Sequence, residues 1–211
     1  MPSERFFKLD PEKQQRICQA AKREFSRTNF EEASINRIIK DADISRGSFY
    51  TYFIDKMDIL QYMILDFKDR FLETITELLD EENGDIFRMS DRLYENMLRW
   101  GKSPEFDMIK NILSDVQMLS KILDARETGK SIYSSRDFID FCSGIYEHTN
   151  HDLICVNKEN FPFFTEMVLA PTIRCAMHTC GGFKDKKKLR ESYEVQMQII
   201  QNGIKGKGNR S

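Results

Sequence analysis

Apolar residues recur at the three- and four-residue spacing of amphipathic helices along most of this chain. In residues 34–53 the spacing predicts two short helices in close succession. Each starts at a serine, Ser34 or Ser45, a residue type whose hydroxyl caps helix N-termini. The buried faces consist of Ile35, Ile38, Ile39 and Ala42 in the first helix and of Phe49 and Phe53 in the second.

The polar positions of the same segment suit contact with nucleic acid. Asp43 stands where the chain turns, a place for a residue that tolerates left-handed backbone angles, and Ile44 closes the turn. Asp55 caps a third helix, and Lys56 in its first turn puts a cation beside free backbone amides, which suits a phosphate oxygen. The second helix leaves mostly hydrogen-bonding residues, and a glycine that permits close approach, on its outer surface: Arg46, Gly47, Ser48, Tyr50, Thr51 and Tyr52.

A further helix precedes this segment. Asp10, Pro11 and Glu12 form an N-cap, a first-position proline and an acidic first turn. Its apolar face consists of Ile17, Ala20, Ala21 and Phe25. We expect this helix to pack across the other two, which completes a three-helix arrangement of the helix-turn-helix kind.

The turn and second helix resemble the N-terminal domain of the tetracycline-repressor-like (TetR) transcriptional regulators. That family typically has Ala-Gly-Val-Ser, a basic residue, Gly, Ser or Thr, an apolar residue, Tyr, any residue, an aromatic residue or His, and Phe, with Lys shortly afterwards. This chain has Ala-Asp-Ile-Ser-Arg-Gly-Ser-Phe-Tyr-Thr-Tyr-Phe at residues 42–53 and then Lys56, so Asp43 replaces the usual glycine. The resemblance covers about residues 8–67 and implies a DNA-binding transcriptional regulator.

We expect Tyr50 and Lys56 to anchor phosphates, since they flank the reading helix, and Arg46 and Thr51 to reach base edges from its exposed side. The full set of residues predicted to bind DNA is Ser34, Asn36, Arg37, Ser45, Arg46, Gly47, Ser48, Tyr50, Thr51, Tyr52 and Lys56.

From Asp55 onwards the apolar pattern predicts six helices, at about residues 55–80, 86–100, 105–125, 138–146, 161–180 and 184–204. We therefore predict an all-α fold with a helix-turn-helix DNA-binding domain at residues 1–54. A C-terminal helical bundle for effector binding and dimerisation follows at residues 55–204, and residues 205–211 form a flexible tail.

In the TetR family the last two long helices pair with those of a second copy, which here implies a homodimer through residues 161–180 and 184–204. A buried face within one chain would have the same composition, but reading paired DNA half-sites favours the dimer. The candidate interface residues are Phe164, Met167, Val168, Ile173, Met177, Tyr193, Met197 and Ile200.

The resemblance also implies an effector cavity in the C-terminal bundle. A ligand bound there moves the helix at residues 55–80 and so changes the separation of the two DNA-binding domains of the dimer. The 10 methionines and 16 phenylalanines favour a small apolar or aromatic effector. The alternative for each candidate is an ordinary core position. The candidates are the large residues of the middle helices: Tyr94, Met97, Trp100, Phe106, Met108, Met118, Phe138, Phe141 and Tyr146.

Charge adds one constraint on the interaction with DNA. The chain has a formal net charge of -2, and residues 1–60 contain 11 lysines and arginines against 10 aspartates and glutamates. We therefore expect the affinity for DNA to come from a few specific side-chain contacts, present twice in a dimer, rather than from the net charge of the domain.

Other classes of function find little support. We expect a cytoplasmic protein, without signal peptide or membrane span and with its 5 scattered cysteines reduced. Cys175, His178 and Cys180 lie close together, but on one helix their spacing places Cys180 on a different side, and no second cysteine pair completes a tetrahedral site. A comparable group in an expected loop consists of His148, His151 and Asp152. We predict no metal, cofactor or catalytic residue. The function predicted is a ligand-responsive repressor that binds a palindromic operator. The alternative is a helical protein-interaction module that has kept the fold but lost DNA binding.

Overall fold

The computed structural model describes residues 1–114 and 136–204, and these residues form helices without any β-strand. This confirms the predicted all-α fold. The helices are α1 (Glu4–Phe7), α2 (Pro11–Arg27), α3 (Ile35–Asp41), α4 (Arg46–Tyr52), α5 (Lys56–Glu81), α6 (Ile86–Trp100), α7 (Pro104–Ser114), α8 (Arg136–His148), α9 (Phe161–Cys180) and α10 (Lys186–Ile204), with a 3₁₀ turn at His151–Leu153. The predicted tail at residues 205–211 lies outside the described residues.

The helices group into two compact units. The first contains Met1–Asp69 together with α7, and the second contains Arg70–Gly101 with the helices from α8 onwards. The unit boundary therefore falls within α5, between Asp69 and Arg70, whereas the sequence predicts a domain boundary between residues 54 and 55.

Helix α7 joins the first unit through its packing on α2. The Asn111 amide donates to the carbonyls of Phe25 and Ser26 at 3.1 and 3.2 Å, so it satisfies acceptors in the last turn of α2. At the other end, Lys22 Nζ lies 2.5 Å from Glu105 Oε1. These contacts explain why α7, which the sequence assigns to the C-terminal domain, packs with the DNA-binding helices.

The core of the first unit contains an element that the sequence pattern did not indicate. Phe6 of the short helix α1 is fully buried, and its ring lies 4.9 Å from Phe53 and 5.3 Å from Tyr62. Ser3, just before α1, donates from its hydroxyl to the Thr51 carbonyl at 2.7 Å and from its backbone amide to the Tyr52 carbonyl at 2.9 Å. Residues 3–7 therefore cap the C-terminal end of α4.

In the second unit, α9 packs on α6 and α10, and a polar cluster joins α6 to α10. The Tyr193 hydroxyl donates to Asp91 Oδ1 at 3.1 Å and lies 3.1 Å from Ser90 Oγ. Burial raises the pKa of Tyr193 to about 12, so this phenol stays protonated at neutral pH. Its ring stacks on Tyr94 with centroids 5.7 Å apart, and the Arg190 guanidinium lies 4.7 Å from the centre of the Tyr94 ring.

Candidate nucleic-acid interface

The turn between α3 and α4 has the predicted geometry. Asp43 has a φ of 51°, in the left-handed region. The backbone amide of Ile44 donates to the Ile39 carbonyl at 3.0 Å. This bond, from a residue to the carbonyl five positions earlier, is typical of a helix that ends at a left-handed residue. The replacement of glycine by Asp43 therefore leaves the turn intact, as the sequence predicts.

Helix α4 starts at the predicted cap and exposes a polar face. Ser45 Oγ accepts from the Ser48 backbone amide at 3.0 Å. Arg46 and Gly47 are exposed, and 46% of the Tyr50 side chain is accessible. Thr51 is half-buried, and its hydroxyl donates to the Gly47 carbonyl within the same helix at 2.9 Å.

Arg46 is fixed between two of the other predicted contact residues. Its Nη1 donates to Asn36 Oδ1, on α3, at 2.7 Å, and its Nη2 lies 3.4 Å from the Tyr50 hydroxyl. The guanidinium carbon lies 5.5 Å from the centre of the Tyr50 ring. All three side chains are exposed, so the structure brings Asn36, Arg46 and Tyr50 together on one surface.

Tyr52 has a different role from the one predicted. It is buried, with 9% of its surface accessible, and its ring lies 6.3 Å from that of Phe6 and 6.4 Å from that of Phe53. The reason is helix α1, which covers this side of α4. Tyr52 therefore belongs to the core rather than to the DNA-reading face.

Lys56 also differs from its prediction as a phosphate anchor. Its Nζ donates to the carbonyls of Phe30, Glu31 and Ala33 at 2.8, 2.8 and 3.2 Å. It also lies 4.7 Å from the centre of the Phe30 ring. Because an ammonium has three hydrogens, these carbonyls occupy all its donors. Lys56 therefore holds the α2–α3 connection, while Asp55 caps α5 as predicted, by accepting from the Asp58 amide at 2.8 Å.

Arg37 and Ser34 both contact the carboxylate of Glu24, a residue without a local sequence signal for this role. Glu24 is buried, and its Oε1 accepts from the Ser34 amide at 2.7 Å. Arg37 Nε lies 2.8 Å from both carboxylate oxygens, and Arg37 Nη2 also donates to the Glu32 carbonyl at 3.0 Å. Arg37 thus has a structural role in joining α3 to α2. Ser34 is the N-cap residue of α3, as predicted, although its hydroxyl makes no capping bond.

The protonation state of Glu24 depends on these contacts. Burial acts to raise the pKa of its carboxyl group, but the bonds from Arg37 and from the Ser34 amide outweigh burial and lower the pKa below its usual value. The ion pair likewise raises the pKa of Arg37. Glu24 is therefore ionised at neutral pH and acts as an anionic cap for the first turn of α3.

Comparison with known proteins identifies the family of the N-terminal domain. The sequence profile described as "Bacterial regulatory proteins, tetR family" matches residues 17–63, which include the whole α3–turn–α4 segment. The N-terminal domain belongs to the tetR family. The matched residues include Asn36, Arg46 and Tyr50, the three side chains that lie together on the exposed surface of α3 and α4.

Curated relatives agree over the same part of the chain. The chain is 40% identical over 73 residues to the uncharacterized HTH-type transcriptional regulator YdgC of Bacillus subtilis, an alignment that covers 35% of this chain and 37% of that protein. It is 33% identical over 93 residues to YuxN, another HTH-type transcriptional regulator of the same organism, over 41% of this chain and 31% of the relative. The chain thus spans about a third of the length of these relatives.

A solved structure resembles more of the chain. The crystal structure of a TetR family transcriptional regulator from Chloroflexus aurantiacus is 23% identical and covers 97% of this chain and 98% of its own, with a TM-score of 0.46. With a score this low, it supports no conclusion about the second unit of the chain.

Several residues predicted for the dimer interface lie in the core of the second unit. Phe164, Val168, Tyr193 and Met197 are buried within the chain, because they face the other helices of the unit. Ile173, Met177 and Ile200 are half-buried. Met167 is exposed, as are three further apolar residues of α9 and α10: Phe163, Val195 and Ile199.

The predicted effector-pocket residues divide between the two units. Phe106 and Met108 are buried in the first unit, on α7. The second unit contains Tyr94, Met97, Trp100, Phe138, Phe141 and Tyr146, whereas Met118 lies outside the described residues. Tyr94 packs between Tyr193 and Arg190, and the Tyr146 ring lies 4.9 Å from that of Phe161, so both have core partners.

The candidates weighed for metal binding do not converge. Among residues 1–114 and 136–204, no three His, Cys, Asp or Glu side chains are grouped so as to hold a metal ion. His148 Nδ1 instead lies 2.8 Å from Asp80 Oδ1, and the His151 ring lies 4.1 Å from that of Tyr146. No helix in the described part of the chain is long and apolar enough to cross a membrane.

Proposed function

We propose that this protein is a homodimeric repressor that binds a palindromic DNA operator and is released from it by a small apolar or aromatic effector. The observation that supports the DNA-binding part most directly is the exposed face of α4, where Arg46 and Tyr50 project next to Asn36 of α3. The side chains are carried by helices rather than by a loop, so their spacing is defined by the fold.

The exposed face of α4 offers specific contacts to DNA, so binding does not require a large net positive charge. Gly47 lies between Arg46 and Ser48 at the start of α4, and a Cβ added there would have only Ser45 Oγ, at 3.8 Å, within contact distance. The backbone of α4 is therefore accessible to a DNA strand. Arg46 supplies guanidinium donors, and the exposed Tyr50 hydroxyl is placed to contact a phosphate.

The homodimer rests on apolar residues exposed along α9 and α10. Met167 on α9 is 53% accessible, and Val195 and Ile199 on α10 are 54% and 67% accessible. Val195 and Ile199 are four residues apart, so they lie on one side of α10. We define Met167, Val195 and Ile199, with the 50% accessible Phe163, as the apolar stripe. A second copy that packs its own stripe against this one would remove these side chains from water and hold two reading helices at a fixed separation.

Helix α5 is the element through which an effector would control DNA binding. Helix α5 has 26 residues and belongs to the first unit up to Asp69 and to the second from Arg70. A ligand that binds the second unit better in one position of α5 than in another would shift the equilibrium between the two positions. The candidates in the second unit are apolar and aromatic, such as Met97, Trp100 and Phe141, which favours an effector of the same character.

The alternative function is a protein-interaction module that has lost DNA binding. Residues that DNA binding requires but the fold does not would distinguish the two functions. Tyr52 and Lys56 have structural roles and do not discriminate between the two functions. Arg46 and Tyr50 do, because neither is buried and neither supports the core. Their retention beside Asn36 favours DNA binding.

Fluorescence anisotropy with a labelled duplex at several salt concentrations tests the DNA-binding part. We expect the wild-type affinity to fall as salt rises, and Arg46→Ala to weaken binding and make the salt dependence shallower by about one unit. The matched control is Arg88→Ala, which removes a 72% exposed guanidinium from the second unit and should leave binding unchanged. A wild-type protein that binds no duplex at low salt would favour the interaction module.

A further inference from the structure

Two neighbours hold the Arg46 side chain on the reading surface. Asn36 Oδ1 accepts from Nη1 at 2.7 Å, and the Tyr50 hydroxyl lies 3.4 Å from Nη2 while its ring lies below the guanidinium at 5.5 Å. Asn36 belongs to α3, whereas Arg46 and Tyr50 are four residues apart on α4. The direction of the guanidinium is therefore set by both helices of the motif.

The arrangement leaves donors for a ligand. A guanidinium has five N–H groups in a fixed plane, and Asn36 and Tyr50 engage two of them. Three remain, which is enough for a pair of parallel hydrogen bonds. A cation that only neutralises a phosphate does not need its plane fixed, because the attraction depends on distance rather than on orientation.

We propose that Asn36 and Tyr50 orient Arg46 to bind the major-groove edge of a guanine, so that Asn36 is a specificity-positioning residue that acts through Arg46. This inference rests on the proposed DNA-binding function. Guanine offers two acceptors on that edge, O6 and N7, and matches two parallel N–H donors. Adenine offers one acceptor and one donor there, so an oriented guanidinium is matched to guanine and mismatched to adenine.

The experiment uses the full-length protein and a duplex recovered by selection from a randomised DNA library. Each guanine is replaced in turn by 7-deazaguanine, which keeps Watson–Crick pairing but lacks the N7 acceptor. For the wild-type protein, we expect replacement at one guanine position of a half-site to lower affinity by about fivefold or more. This first step needs no protein variant, so no folding defect can obscure it.

Protein variants then assign the guanine contact to Arg46 and its orientation to Asn36. Arg46→Ala removes every guanidinium donor and should lose the distinction between guanine and 7-deazaguanine. Asn36→Ala should reduce that distinction by a larger factor than it reduces the affinity for random DNA. Asn36→Asp keeps the acceptor for Arg46 and should restore the distinction, although its added negative charge weakens binding to all duplexes alike. The control Arg88→Ala should behave as wild type.

The results separate this inference from the function on which it rests. If selection enriches no duplex, the DNA-binding function itself fails. If a duplex is enriched but the wild-type protein does not distinguish 7-deazaguanine at any position, Arg46 does not read guanine. If it does distinguish them and Asn36→Ala keeps the full distinction, Asn36 has no positioning role and the inference is overturned.

Discussion

Arg37 and Glu24 form an ion pair in which the carboxylate is almost fully buried and the guanidinium half exposed, with side-chain accessibilities of 3% and 54%. Arg37 lies on α3 and Glu24 on α2, so the pair connects these two helices of the DNA-binding domain. Glu24 also accepts from the Ser34 amide at the start of α3. One buried anion thus fixes the position of the helix that precedes the reading helix.

Glu24→Gln removes this anion and should lower the stability of the first unit at pH 7. We expect a loss of about 1–3 kcal/mol, since hydrogen bonds from Arg37 and Ser34 to a charged acceptor become bonds to a neutral one. The pKa of Glu24 is lowered in the folded protein, so its contribution is present above the unfolded pKa of about 4.3 and is lost as pH falls through the folded pKa.

The measurement is chemical denaturation of wild type and Glu24→Gln across a pH series. The difference between their unfolding free energies should be largest near neutral pH and should shrink below about pH 4. A difference that stays constant down to pH 3 would mean that the charge of Glu24 is not responsible.

Lys56→Met keeps most of the aliphatic stem but removes the ammonium that binds three carbonyls of the α2–α3 connection. We expect a lower melting temperature, because those carbonyls lose a charged donor. The salt dependence of DNA binding should stay the same, in contrast to Arg46→Ala. A shallower salt slope for Lys56→Met, measured well below its melting temperature, would restore Lys56 as a phosphate contact.

Gly47→Ala separates stability from DNA binding. The added Cβ meets only Ser45 Oγ at 3.8 Å, and alanine favours the helix over glycine by about 0.5–1 kcal/mol. The variant should therefore melt at the same temperature or higher, yet bind DNA more weakly if the backbone of α4 approaches the duplex closely. Thermal melting and anisotropy on the same sample check both expectations. Unchanged affinity would show that α4 stays away from the DNA at this position.

Asp43→Asn keeps a residue that tolerates the φ of 51° and removes one negative charge from the exposed turn before α4. The stability should change little, whereas affinity for DNA at low salt should rise several-fold because repulsion of the phosphates is relieved. The gain should disappear at high salt as the charge is screened. An affinity equal to that of wild type at low salt would indicate that Asp43 is remote from the bound strand.

Met167→Glu combined with Ile199→Glu puts charge into the apolar stripe. We expect the wild-type protein to sediment as a dimer at micromolar concentration and the double variant to sediment as a monomer, because burial of unpaired carboxylates opposes association. The matched control is Leu153→Glu, which places the same charge at a 45% exposed residue outside the stripe. A monomeric wild-type protein, or a double variant that remains dimeric, would show that the stripe is not the interface.

The elements that the sequence predicts well have strong local signals. The turn at Asp43, the Ser45 cap and the helix pattern follow from residue types and spacing over a few positions, and the structure confirms them. The short helix α1 has no such signal. Its four residues have no apolar period, and Phe6 is recognisable as core only once α4 and α5 are in place.

The structural partners of two predicted contact residues have no local sequence signal. Lys56 and Arg37 are basic residues close in sequence to helix α4, a position that by itself predicts contact with DNA. Their partners, the Phe30 carbonyl and the Glu24 carboxylate, lie 26 and 13 residues away along the chain. Only the tertiary structure brings these groups together. In α9 and α10, apolar residues occur on both the inner and the outer sides, which is why periodicity could not separate Phe164 from Met167.

Selection of bound duplexes from a randomised DNA library, followed by sequencing, tests the central claim most directly. A homodimer that reads DNA with α4 should enrich an inverted repeat, two copies of one short half-site separated by about one helical turn or slightly more. The Arg46→Ala variant should fail to enrich it. No enrichment by the wild-type protein, or enrichment of a sequence without two-fold symmetry, would contradict the account of a dimeric DNA reader.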